Sequence, residues 1–300
     1  MREYILYLII VQESLRERIN TEPQKNPCGP PPAVPDFRAP GRRISHVKCL
    51  EYIWDIKERE DSVTRAIECQ KYLDSLKNET VIYGGGIGGR ITVPGEFPHM
   101  AVDEEGFNPA HWDKNIVRII NHPDYKPPKK YNDIALIELE PGLYFTSFVQ
   151  PACLYTGSDD VLVGKKAIMT GWGVVETVNH TTSPELQAVT LDVLDTKLCD
   201  NLLQPSCNRH WCGLQEHQMC AGVLVGGADA CQGDSGGPLQ IEIPLPQKNN
   251  CRSLINTCIR RMHHVIGVTS FGVGCALPNL PGVYTRVSSY LDWIEGIVWK

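Results

Sequence analysis

Asp229-Ala230-Cys231-Gln232-Gly233-Asp234-Ser235-Gly236-Gly237-Pro238 is the stretch from which the rest of the chain is best read. It sets one serine among glycines, directly after an aspartate. Glycine lets the backbone turn sharply, so that several N–H groups can point at one spot beside the serine oxygen. Groups gathered in that way hold the negative charge that develops on an attacked carbonyl. The surround is therefore that of a nucleophilic hydroxyl. The bland alternative is a Gly/Ser-rich surface turn, and features on both sides of the run decide between the two.

The run resembles the nucleophile motif of the chymotrypsin-like serine proteases. Asp229 lies six positions before Ser235, where trypsin-like members carry the acid of the specificity pocket. Ser270-Phe271-Gly272 and Pro281-Gly282-Val283-Tyr284 match the pocket walls. Glycines at 272 and 282 leave room for a long side chain, and a buried carboxylate selects Arg or Lys. Upstream, Asn132-Asp133-Ile134-Ala135-Leu136-Ile137 leads a polar pair into an apolar strand and is similar to the family's Asp-Ile-Ala-Leu. On its own, Asn-Asp before a strand is common turn chemistry. Beside the serine motif it makes Asp133 the carboxylate that orients the general base. The resemblance further implies that Ser235 attacks the scissile carbonyl and that the Gly233 and Ser235 N–H groups hold the oxyanion.

Composition agrees with a folded, exported chain. The 300 residues are 42% hydrophobic and 21% charged, with a net charge of -6, which gives no sign of a nucleic-acid partner. Twelve cysteines in a Gly- and Pro-rich chain point to disulfides and an oxidising compartment. Asn78-Glu79-Thr80 and Asn179-His180-Thr181 are glycosylation acceptors compatible with secretion. Residues 1–19 contain the apolar run Tyr4–Val11 behind Arg2, long enough for a signal core and too short to cross a bilayer. No small-residue cleavage site follows it. No other stretch could span a membrane, no metal-ligand spacing is present among the cysteines, and no cofactor is expected.

Residues 20–81 read as a Pro-rich linker followed by a helical light-chain segment. Pro30-Pro31-Pro32, Pro35, Pro40 and Gly41 forbid a regular helix. From Ile44 the apolar residues Val47, Leu50, Ile53, Trp54 and Ile56 recur at helical spacing, and a second set follows with Val63, Ala66, Ile67 and Leu73. Residues 82–300 read as the protease domain. Val81-Ile82-Tyr83-Gly84-Gly85-Gly86-Ile87-Gly88-Gly89 precedes Pro94-Gly95-Glu96-Phe97-Pro98-His99-Met100-Ala101; the second stretch resembles the start of the catalytic domain in insect clip-type proteases of the snake-like group, and the light-chain segment is similar to theirs. In that family a cut frees an amino group that pairs with the aspartate before the nucleophile, here Asp234. Spacing puts the new terminus at Gly86, while residue type favours Ile82. Neither follows Arg or Lys, so the activating protease would not be trypsin-like.

One block of the family pattern is missing. After Met100-Ala101-Val102 the expected Thr-Ala-Ala-His-Cys segment with the general base does not occur. The sequence passes near 102–115 straight to Asn115-Ile116-Val117-Arg118-Ile119-Ile120. About three strands' worth of chain is absent, and the first barrel cannot close normally without it. His111 lies near the gap but lacks the motif; His99 and His122 fall where the family has structural residues; His263 and His264 are expected to face solvent. Ser235, Asp229 and the oxyanion glycines are all kept while one contiguous block is gone. That pattern favours an incomplete gene model or a skipped exon over a drifting pseudoenzyme, which would lose such residues one by one.

For the cysteines, the resemblance implies Cys199–Cys220 and Cys231–Cys275. It also implies a tether of the light chain to Cys153, with Cys69 preferred and Cys49 the alternative. Cys207 is paired with Cys212, and Cys28, Cys251 and Cys258 are left open. The implied fold is all-β, two antiparallel barrels with the first truncated, and a C-terminal helix near 288–299 capped by Ser288 or Ser289. The implied function is cleavage of protein substrates after Arg or Lys in an extracellular cascade, with an upstream activating protease and a serpin-type inhibitor as partners. Without the histidine the chain as written is expected to be inactive. The alternative is a non-catalytic homologue that acts as a binding cofactor.

Overall fold

The computed structural model describes residues 28–75, 114–141, 149–176, 181–183, 185–243 and 262–299. Ile82, Gly86, His99, His111, Cys251, Cys258 and residues 102–113 lie outside them. In chain order the elements are α1 (Ile44–Ser75), β1 (Ile116–Asn121), β2 (Ala135–Leu139), β3 (Cys153–Leu154), β4 (Lys166–Gly171), β5 (Val174–Glu176), β6 (Thr181–Thr182), β7 (Gln187–Val193), α2 (Thr196–Leu203), β8 (Gln218–Gly222), β9 (Pro238–Ile243), β10 (Met262–Phe271), β11 (Gly282–Arg286) and α3 (Leu291–Val298).

Six strands close into an antiparallel barrel in the order β11-β8-β7-β4-β9-β10, with β10 pairing back to β11. Period-two alternation fills its interior: Ala167 and Met169 from β4, Leu191 and Val193 from β7, Met219 and Ala221 from β8, with Leu239, Ile266 and Tyr284. β3 runs parallel to β10 on the outside. β1 and β2 form a separate two-stranded antiparallel ladder, which among the described residues is what stands of the first barrel. Ile116, Val117 and Ile119 on β1 are exposed.

β10 is covered on both faces. The barrel interior lies on one side, and on the other a second core gathers Val47, Leu50 and Ile56 of α1, Ile134 and Leu136, Leu154, Val265, and Leu291 and Ile294 of α3. Double coverage buries His263 and His264, at 1% and 5% exposure. The expectation that they face solvent is corrected, because it assumed a strand with one wet face. The C-terminal helix begins at Leu291, after a 3-10 turn over Val287–Tyr290, and no side chain caps it. Ser288 instead donates to both carboxylate oxygens of Asp159, at 2.9 and 3.0 Å.

The two apolar sets of the light-chain segment form one helix of 32 residues. Among the described side chains, its buried ones lie in the first half: Ser45, Val47, Cys49, Leu50 and Ile56. Arg43, just ahead of it, holds Glu295 and Asp292 of α3, and Phe37 packs on Trp54 with ring centroids 6.3 Å apart. This geometry corrects the Cys69–Cys153 tether. Cys69 is bonded to Cys28, and the buried Cys153 thiol faces the buried Cys49 thiol. Along a helix at about 1.5 Å per residue, Cys69 lies roughly 30 Å beyond Cys49, so both cannot reach one partner. Burial, and then Cys153, push the Cys49 thiol well above its ordinary pKa. Cys199–Cys220, Cys207–Cys212 and Cys231–Cys275 are bonded.

Candidate active site

The nucleophile run forms a tight turn between β8 and β9. Gly233 has a φ of 100°, and a Cβ there would lie 3.0 Å from the Gly173 Cα, so no other residue fits without strain. The Gly237 N–H donates to the Asp234 carbonyl at 3.0 Å, the Gly236 N–H to the Thr269 carbonyl at 2.8 Å, and the Thr269 N–H to the Gly237 carbonyl at 2.9 Å. The turn is thereby locked to the end of β10. Ser235 is exposed at its tip, while Asp234 is buried.

The Asp234 carboxylate accepts the Gly173 N–H and the Cys231 N–H, each at 2.9 Å. Burial raises its pKa and these two bonds oppose the rise. Among the described residues no cation pairs with it. Its carboxylate rests on two glycines: a Cβ on Gly171 would meet Oδ1 at 2.1 Å, and one on Gly173 would meet Cγ at 2.4 Å. We expect Gly173→Ala to destabilise the fold by about 1–3 kcal/mol through overpacking. Urea denaturation reads this directly, and an unchanged midpoint would mean that the carboxylate lies elsewhere.

Asp133 precedes β2 in a turn where Asn132 takes a φ of 54°, in keeping with the turn chemistry of that pair. Tyr290 donates its hydroxyl to Asn132 Oδ1 at 2.8 Å, and the Asn132 N–H donates to His217 Nε2 at 3.2 Å. Asp133 itself is held from two strands. Thr285 Oγ1 donates to its carbonyl at 2.7 Å, and Ser270 Oγ to its Oδ2 at 2.6 Å. Ser270, which the sequence puts in a pocket wall, thus commits its hydroxyl to the Asp133 carboxylate. Thr269 thus anchors the serine turn and the next residue anchors Asp133, which draws the two motifs together at one strand end.

Asp229 sits half-buried beside Gly282. Its Oδ1 accepts the Ala230 N–H at 2.8 Å and its Oδ2 the Ala276 N–H at 3.4 Å. A Cβ on Gly282 would come within 3.3 Å of both Asp229 Oδ1 and the Tyr284 hydroxyl oxygen, so glycine there permits the close approach. Burial pushes the Asp229 carboxyl up to about 6, against the two N–H bonds. Tyr284 is fully buried and its hydroxyl has no hydrogen-bond partner among the described residues. Burial raises its pKa, and the charge of Asp229 adds to the rise. Sequence reasoning placed Tyr284 in a wall motif without seeing that its hydroxyl faces the acid. Gly272 packs near the Gly274 carbonyl, 3.3 Å from where its Cβ would stand. Cys231–Cys275 bridges the serine turn to the strand-end loop that carries Gly274 and Ala276.

His122 is not part of this arrangement. Its ring packs edge-on against Tyr290 and Trp293, each at 4.9 Å, and burial lowers its pKa.

The family model described as Trypsin matches residues 99–294. The chain belongs to the trypsin family. Its two-motif strand end and closed barrel are therefore those of a trypsin-like serine protease, a class that acts on protein substrates. Among curated relatives it is similar to "Serine protease Hayan" of Drosophila melanogaster, 39% identical over 202 residues, which cover 66% of this chain and 30% of that protein. It is similar to "Serine protease snk" of the same organism, 41% identical over 188 residues, covering 63% and 39%. "Trypsin eta", also from Drosophila melanogaster, is 35% identical over 179 residues, covering 60% and 58%. This trypsin-family chain thus spans about a third of the length of the first two relatives. Among the described residues no helix is long and apolar enough to cross a membrane.

Proposed function

We propose that this chain carries the Arg/Lys pocket of a secreted trypsin-like endopeptidase of a protease cascade, and that as written it grips a basic side chain without cutting beside it. The observation that carries the reading is the Asp229 carboxylate, half-buried against Gly282 and bridged by Cys231–Cys275 to the turn that exposes Ser235. A long cation entering there meets a desolvated acid. Ser235 is the nucleophile, the Gly233 and Ser235 N–H groups form the oxyanion hole, and Asp133 is the orienting carboxylate. The sequence lacks the Thr-Ala-Ala-His-Cys block that would supply the base between them. Asp234, buried without a cation among the described residues, is the acceptor for an amino group freed at Ile82 or Gly86 by an upstream protease. A serpin-type inhibitor would be met at the same pocket. Residues 20–81 serve as the light chain of the domain at 82–300.

A second reading, a non-catalytic homologue that binds a cascade protein through this pocket, uses the same residues. Intact geometry at Asp229, Asp133 and the Ser235 turn supports a deleted block rather than gradual decay. Benzamidinium, an arginine mimic, tests what both share. It should bind at pH 7.5 and be displaced by an arginine peptide. With the free carboxyl pushed up to about 6, its affinity should be level above that pH and fall about tenfold per unit below it. Equal binding of benzamidinium and neutral benzamide would remove the pocket assignment.

A further inference from the structure

We infer that an acidic stretch flanking the basic residue is part of what this chain recognises, held by a rim of cations beside the candidate site. The inference rests on the pocket reading above and adds a substrate class to it. Lys126, Lys129 and Lys130 lie in the loop before Asp133, and Arg209 lies in the loop closed by Cys207–Cys212. Five bonds tie the first loop to residues 210–218, which include the end of the second. The Lys130 N–H donates to the His210 carbonyl at 3.2 Å. Gln218 Nε2 donates to the Lys130 carbonyl at 2.8 Å. The Cys212 N–H donates to the Tyr131 hydroxyl at 2.9 Å, which donates onward to the Gly213 carbonyl at 3.2 Å. The Asn132 N–H donates to His217.

This stitching places the rim next to the reacting end of β10. Lys130 Nζ lies over the Phe271 ring, 4.3 Å from its centroid. Phe271 directly follows Ser270, which holds Asp133. Lys126, Lys129 and Arg209 are exposed, and among the described residues none has a carboxylate partner. Asp124 in the first loop, Glu216 beyond the second and Asp200, which accepts the Leu214 N–H at 2.7 Å, are the acids nearby, and none pairs with these three cations. On a chain of net charge -6, exposed cations without carboxylate partners beside a binding pocket attract a partner that carries acids near its basic residue.

The experiment compares labelled peptides by fluorescence anisotropy on the full chain. One has an Arg flanked by glutamates, the second has the same Arg flanked by glutamines, and the third has the glutamates around a Gln. The glutamate–Arg peptide should bind about tenfold tighter than the glutamine–Arg peptide at low salt, an advantage that shrinks at high salt. Lys126→Ser/Lys129→Ser/Arg209→Ser should erase that advantage while leaving the glutamine–Arg affinity unchanged. Equal affinities for the two Arg peptides, with the third much weaker, would overturn the rim and leave the pocket standing. Equal binding of the first and third would overturn the pocket reading instead. Binding of a sulfated polysaccharide with no preference among the peptides would also overturn the proposal, since the cations would then serve a different polyanion.

Discussion

Incubated with an arginine ester at neutral pH, the chain should release alcohol no faster than its own Ser235→Ala variant. The physical reason is the serine oxygen. A hydroxyl is a poor nucleophile until a neighbouring base takes its proton during attack. The turn keeps its glycines and its anchor on Thr269, so the missing base is the defect that the sequence itself names. Loss of the histidine alone lowers turnover by roughly a millionfold in proteases where it has been removed. What remains is a residual of about 10³–10⁴ over water, too slow to register in an ordinary ester assay. Turnover that disappears with Ser235→Ala would show that another imidazole reaches the serine. Sequencing the transcript across codons 102–115 separates the remaining cases. A Thr-Ala-Ala-His-Cys block there establishes a protease, and continuous reads without it favour a binding role.

The second large effect concerns Asp229. Asp229→Asn should lower the affinity for benzamidinium or an arginine peptide by at least about a hundredfold, the usual consequence of removing one partner of a desolvated charge pair. The same substitution should make the fold more stable at neutral pH. The carboxyl sits at about 6 when folded against 3.8 in its ordinary state. A group raised in this way favours the folded chain fully below its unfolded pKa, and that contribution is lost as pH rises through about 6. Asparagine removes the loss, so the variant should gain about 1–3 kcal/mol at pH 7.5 and next to nothing at about pH 3, below the unfolded pKa. Thermal melts at the two pH values read this. A variant destabilised at pH 7.5 would mean that the acid is held by a partner rather than strained by burial.

The serine turn was legible in the sequence because backbone geometry dictates its residues. Gly233 at a φ of 100° tolerates nothing else, and such positions announce themselves. Other features depend on how elements meet, and local pattern does not carry that. His263 and His264 are buried because α1 and α3 cover the second face of β10. The Ser270 hydroxyl reaches Asp133 because the turn before β2 meets the end of β10, which local pattern does not show. The tether was misassigned because the family pattern says that a cysteine reaches Cys153 and not which one, and the choice depends on which end of α1 docks. Once α1 is one rigid rod, Cys49 and Cys69 cannot exchange places. Ser288 fails to cap the last helix because Asp159, distant in sequence, offers it a charged acceptor.

Helix α1 and the segment ahead of it tie residues 28–75 to the barrel through Phe37, Val47, Leu50, Ile56 and the Arg43 ion pairs. Severing the backbone anywhere from 76 to 113 would therefore not release a fragment. The halves would still elute as a single particle from a sizing column, with the Cys28–Cys69 hook travelling aboard.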